Sequence, residues 1–265
     1  MTYFTKKDAV EVLRRLTTFE NALAETFEKF GYNLRDNLGR RNALISQAQE
    51  KEVAAVLSEK FKEVVQDGAP GQPDVVIVDI DKELECKLTS GSGSKTKSYD
   101  LQTDWETLCC KQSIDYLYIL ASEDFTEFCV LLFEGLTPNE FFPPASGSRG
   151  KSRMNKHNAM KKLKCLHGSV VNIRERWLSK LSQEITELIR KRNIEQLILI
   201  ENNGSFDDIQ KVEEKYSTRI SKVQSRFNKW NEKNNSFSFK FEKLEKERDL
   251  TYQINGGATI FVAAK

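Results

Sequence analysis

The chain has 265 residues, enough for one large domain or two small ones and for a substantial buried core. It is 39% hydrophobic, 30% charged and 10% aromatic, which excludes a disordered, collagen-like or membrane-embedded chain. A net charge of +2 excludes a molecule whose overall field draws nucleic acid, so any such surface has to come from local clustering of the 41 Lys and Arg.

Thr5 followed by Asp8 is a capping-box signature. Val12, Leu13, Leu16, Phe19, Leu23, Phe27 and Phe30 then recur at helical steps before Gly31, which predicts a helix over about residues 6–30. Ser46 and Gln49 repeat the signature, and Val53, Val56, Leu57, Phe61, Val64 and Val65 predict a second helix running to Asp67-Gly68. The Pro- and Gly-rich residues 68–73 are a turn. Residues 75–80 and 83–88 read as two short strands in a tight hairpin about Asp81-Lys82. A Gly/Ser/Lys loop follows over 90–98, then a helix over 101–113 and two apolar strands at 116–121 and 128–133.

This order predicts an α/β fold, a mixed central β-sheet flanked by helices. Further on, Ile173, Trp177, Leu178, Leu181, Ile185, Leu188 and Ile189 mark one long helix. Ile209, Val212, Tyr216, Ile220, Val223, Phe227 and Trp230 mark another. Phe237, Phe239 and Phe241 alternate as in a half-buried strand, and Asn255-Gly256-Gly257 is a hairpin turn. The C-terminal extension is therefore expected to be mostly helical and to end in a β-hairpin. A division near residue 145 separates a core, 1–145, from residues 146–265, the two packed as one globular unit.

Cys86, Cys109, Cys110, Cys129 and Cys165 form no C-x-x-C pair and read as reduced thiols. With only His157 and His167 beside them, a Zn site is not expected. Residues 1–10 carry charges and no apolar core of a signal peptide, and no apolar run is long enough to span a membrane. No Gly-rich phosphate loop is present, so no nucleotide cofactor is expected.

The chemistry is concentrated in Pro73-Asp74, a ten-residue interval, and Glu85-Cys86-Lys87. Carboxylates at the adjacent ends of neighbouring strands can share a hard divalent cation, which favours oxygen ligands. Such an ion acidifies a bound water and neutralises charge on a phosphate. Residues two apart on a strand face the same side, so Glu85 and Lys87 share a face while Cys86 points into the packed layer. Asp79 and Asp81 compete with Asp74 for the first position, and Asp74 is preferred for its Pro and its place at the strand start.

Pro-Asp, a short hairpin and Glu-x-Lys between helices resembles the PD-(D/E)xK nuclease superfamily, which includes most type II restriction endonucleases. The resemblance covers roughly residues 46–135. It implies that Asp74 and Glu85 hold Mg²⁺, for which Mn²⁺ can substitute, and that Lys87 is the catalytic lysine. It also implies an acidic residue on the preceding helix, either Glu50 or its neighbour Glu52, with Glu50 favoured. Gln112 and Tyr116 match a Gln-x-x-x-Tyr pattern of one branch of the superfamily, but that spacing is common at helix ends and is given little weight.

Two acid-free stretches border these residues. Lys95 and Lys97 follow the Glu-Cys-Lys strand, and residues 141–173 hold seven Lys or Arg and no Asp or Glu. Arg149, Lys151, Arg153, Asn155, Lys156 and His157 are the expected DNA contacts, either to phosphates alone or also to base edges.

The favoured expectation is a type II restriction endonuclease that cuts double-stranded DNA at a short specific sequence. It would be a homodimer in a prokaryotic cytoplasm. A structure-selective repair or junction-resolving nuclease keeps the same site. A non-catalytic DNA-binding protein discards it.

Overall fold

The first helix forms as its capping signature predicts. In α1 (Lys6–Lys29) the Thr5 side chain accepts from the Asp8 amide, while the Thr5 amide donates to the Asp8 carboxylate at 2.6 Å. The computed structural model describes residues 3–67, 72–90, 101–146 and 150–231. The strand expected at 237–241 and the hairpin turn at 255–257 lie outside those residues.

The second helix differs from expectation at both ends. α2 (Leu38–Ser58) starts at an Asn37 cap, whose side chain accepts from the Arg40 amide. The first core-facing position after the cap is Arg41, fully buried, so a charge stands where the periodicity needs an apolar residue. The helix stops at Ser58, and Val64 and Val65, read as its last turn, form a short edge strand, β1 (Val64–Val65). Their β-branched side chains suit a pleated edge, and pairing with the next strand overrides the helical spacing.

The main sheet has six strands in the order β1-β2-β3-β5-β6-β8. β2 (Val75–Ile77) runs antiparallel to β3 (Lys82–Ser90). The predicted tight turn is longer than two residues: Val78–Ile80 is a 3-10 turn, and Asp81 closes it at φ 50°. β5 (Ile114–Ala121) pairs parallel with β3, while β6 (Phe128–Leu136) and β8 (Leu163–Gly168) add antiparallel partners. β5 is buried along its whole length, as its mostly apolar run requires, and its one charge, Asp115, is met there by the Tyr3 hydroxyl at 2.9 Å and the Gly135 amide at 2.6 Å.

Alternation along the sheet divides the core in two. Cys86, Leu117, Ile119 and Leu132 face α1 and α2. Tyr116, Tyr118, Leu131 and Phe133 face the opposite layer with Leu101, Leu108, Phe141, Met154 and Met160. That second layer begins where a single helix was expected at 101–113. The segment instead forms β4 (Gln102–Asp104) and then α3 (Trp105–Lys111), with the Asp104 side chain capping α3 through the Thr107 amide at 3.1 Å. β4 pairs with β7 (Lys151–Arg153), and α4 (Lys156–Ala159) follows. The β4–β7 and β6–β8 pairings both cross the division placed near residue 145.

α5 (Val170–Glu201) and α6 (Phe206–Asn231) form a helical hairpin around Trp177, Leu181, Leu188, Val212, Tyr216 and Val223. Among the described residues no helix is long and apolar enough to cross a membrane. Asp124, in the β5–β6 turn, ties this hairpin to the sheet. Its carboxylate accepts from Ser122, Thr126 and, at 3.1 Å, Arg176 on α5. Burial alone would raise its pKa, but these donors win and hold it down at about 2.

A carboxylate depressed in the folded state stabilises the fold above its unfolded pKa and loses that contribution as pH falls through its folded value. Asp124→Asn should therefore cost about 1 kcal/mol at pH 7, after discounting for solvent screening of this partly exposed group. The gap between variant and protein should close between about pH 4 and pH 2 in urea melts. An equal gap at both pH values would remove the ionised carboxylate as its cause.

Candidate active site

Asp74 stands immediately before β2, fixed by the buried Pro73 and by a hydrogen bond from the Cys86 amide to its Oδ2 at 2.7 Å. That bond anchors the carboxylate to the neighbouring strand, β3. Glu85 and Lys87 lie two apart on β3 and share its other side, while Cys86 between them is 3% exposed in the α1/α2 layer. The Lys87 ammonium sits 2.5 Å from Glu85 Oε1 and 3.6 Å from Asp74 Oδ2. The structure thus brings the three residues of the Pro-Asp and Glu-x-Lys pattern to one place, partly shielded from water.

The electrostatics follow from that convergence. Burial pulls the Lys87 ammonium down, but Glu85 and Asp74 outweigh it and its pKa is raised. Glu50 on α2 is raised, first by burial and then by repulsion from Asp74 and Glu85. Of the two α2 carboxylates it is the one whose charge interacts with the site. Glu52 turns instead to Arg15, 3.6 Å away. Burial pushes the Cys86 thiol well up, which leaves it a packing residue. Of the competing aspartates, Asp79 accepts from the Lys62 amide at 2.5 Å beside β1, and Asp81 supplies the left-handed turn.

Two carboxylates lie within 4 Å of one ammonium, and the charge of Glu50 adds to theirs, so negative charge is in excess. Among the described residues no group of three or more His, Cys, Asp or Glu is already arranged to hold a metal ion. Mg²⁺ does not require one. It keeps several waters and is commonly held by one or two carboxylates. The donors present, all oxygen, fit that ion better than Zn²⁺.

Tyr116 belongs to the next strand, β5, and not to a helical Gln-x-x-x-Tyr pattern, yet it lies next to the site. In the parallel β3–β5 register Glu85 is paired with Tyr116 and Lys87 with Tyr118. The two rings stack with centroids 5.6 Å apart and wall the site on the β5 side. Burial, with Asp74 and Glu85 adding to it, raises the Tyr116 pKa, so its hydroxyl stays protonated. That hydroxyl is hydrogen-bonded to Thr103 on β4. Gln112, the other half of the Gln-x-x-x-Tyr pattern, lies exposed just after α3 with φ 58°.

The expected DNA contacts disperse. Lys95, Lys97 and Arg149 lie outside the described residues, as does the side chain of Lys156. Lys151 and Arg153 point outward from β7, with Lys151 3.7 Å from Asp104. His157 is exposed on α4. The Asn155 side chain accepts from the Asn158 amide at 3.4 Å and caps α4, a local role. Acids from elsewhere also answer part of the acid-free stretch: Lys162 pairs with Glu140 at 2.9 Å, and Lys164 pairs with Glu134.

Compared with protein-family models, curated proteins and solved structures, the chain matches none of them.

Proposed function

We propose that this protein is a Mg²⁺-dependent endonuclease that hydrolyses double-stranded DNA at a short specific sequence, in the manner of a type II restriction enzyme. The observation that carries the reading is the meeting of Asp74, Glu85 and Lys87 at one partly shielded place on the sheet, within the field of Glu50. Charged groups are seldom gathered in such a place without a task.

Asp74, Glu85 and Glu50 would hold Mg²⁺, or Mn²⁺ in its place. The ion would supply charge neutralisation at the scissile phosphate and acidify a water molecule. Asp74 is held in position by the Cys86 amide, so its carboxylate needs no reorganisation. Lys87 donates to a phosphate oxygen or to the attacking water, and its raised pKa keeps it charged for that task. Tyr116 and Tyr118 exclude bulk water from the β5 side. A cut through both strands of a symmetric site needs two such centres, so the proposal extends to a homodimer.

Digestion of long unmodified phage DNA with Mg²⁺, followed by sequencing of fragment ends, tests this directly. Discrete fragments sharing one end sequence are expected. Cutting confined to branches or ends would replace the reading with a structure-selective nuclease, and intact DNA with Mg²⁺ and with Mn²⁺ would remove the enzyme.

A further inference from the structure

β4 and β7 form a two-stranded antiparallel ribbon. In it Gln102 pairs with Arg153, Thr103 with Ser152, and Asp104 with Lys151. Strand alternation sends the middle pair inward: Thr103 is 6% exposed and Ser152 1%. Gln102, Asp104, Lys151 and Arg153 are left on the outer face, the two basic residues exposed and the other two half-exposed.

The ribbon lies over the catalytic side of the sheet. Thr103 is bonded to the Tyr116 hydroxyl, and the Tyr118 hydroxyl donates to the Gln102 carbonyl at 3.5 Å. These are the two tyrosines paired in register with Glu85 and Lys87. The ribbon therefore packs on the tyrosines of β5, the strand next in the sheet to the one that carries Glu85 and Lys87.

The outer face is chemically specific. Asp104 is engaged in capping α3 and in its contact with Lys151. Arg153 makes no ion pair with another described residue, is exposed, and stands opposite Gln102 in the register. Phe142, whose amide donates to the Arg153 carbonyl at 2.9 Å, is 51% exposed at the same edge. A carboxamide and a guanidinium on opposed positions of one face make a poor apolar interface and a good hydrogen-bonding one.

We propose that this ribbon is the base-reading element of the protein, entering the major groove of duplex DNA with Gln102 and Arg153 on neighbouring base pairs. The proposal rests on DNA being the ligand and deepens the nuclease reading. The major groove, about 12 Å wide, admits a two-stranded ribbon. Arginine forks onto guanine O6 and N7, and glutamine pairs with adenine N6 and N7. Directly opposed residues on paired strands stand about 5 Å apart, between one and two base-pair steps of about 3.4 Å, a gap that flexible Gln and Arg side chains close to reach adjacent positions. Both basic residues of β7 match the charge of the duplex.

The test is selection of bound duplexes from a randomised pool, with Ca²⁺ replacing Mg²⁺ so that binding is read without cutting. The protein is compared with Arg153→Lys and Gln102→Ala. Arg153→Lys keeps the charge and loses the fork. Both sites are at the surface, and thermal melts verify that the variants fold. The protein should enrich one motif. Each variant should lose preference at one position, the two positions adjacent, by on the order of 10- to 100-fold. No enriched motif, or the same motif with every variant, would overturn the ribbon as reader. A motif that obeys the ribbon in a protein that cuts nothing with Mg²⁺ would leave this inference standing and sink the nuclease.

Discussion

Asp74→Asn should lower Mg²⁺-dependent DNA cleavage by at least about 10²- to 10³-fold, the range set by loss of one preorganised charge at a reacting phosphate. The amide oxygen of Asn can still accept from the Cys86 amide, so the anchoring bond to β3 survives and the melting temperature should hold. What is lost is one negative charge next to Glu85 and Lys87. The matched control is Asp79→Asn, in the following turn, where the carboxylate faces the Lys62 amide. Single-turnover rates on a plasmid should fall for the first variant and not for the second. The reverse pattern would move the site to the wrong aspartate and dismantle the proposed chemistry.

Phe133→Ala should be the most destabilising of the single substitutions considered, by about 3–5 kcal/mol, the usual cost of emptying a buried aromatic site. Phe133 is fully buried on β6 and meets the Tyr118 ring edge-on, with centroids 5.9 Å apart. Its removal leaves a void under the layer that supports β4. A fall in Tm on the order of 10 °C is expected, against almost no change for Phe30→Ala, which is 75% exposed. Calorimetry on the two variants checks both. A small effect at Phe133 would mean that the layer collapses to fill the gap.

The proposed catalytic residues were legible because strand alternation is a rule with a period of two. Once Glu85, Cys86 and Lys87 were placed on a strand, the opposite fates of Cys86 and its neighbours followed. Asp74 was legible from its Pro and its place at the strand start. The start of α2 was hidden by Arg41, whose cost of burial is met in part by contacts remote in sequence: the Glu123 carbonyl, the Ser90 hydroxyl at 2.6 Å and the Phe125 ring, while its Nε has no partner among the described residues. The ribbon was hidden for a different reason. Three residues of β4 carry too short a pattern to distinguish from the first turn of a helix, and their partners in β7 come after β5 and β6. Tyr116 drew little attention because its proximity to Glu85 is a matter of register between parallel strands, which one segment of sequence does not encode.

The β3–β5 pair has a kinetic corollary. Asp74, Glu85 and Lys87 sit on a short antiparallel hairpin, and contacts close along the chain form on a microsecond scale. The tyrosine wall arrives only through a parallel connection, which has a longer loop to close and is slower to form. During refolding the charges should gather while still hydrated and be sealed from water afterwards, so Tyr116 fluorescence or exchange protection along β5 should lag behind the ordering of β2 and β3.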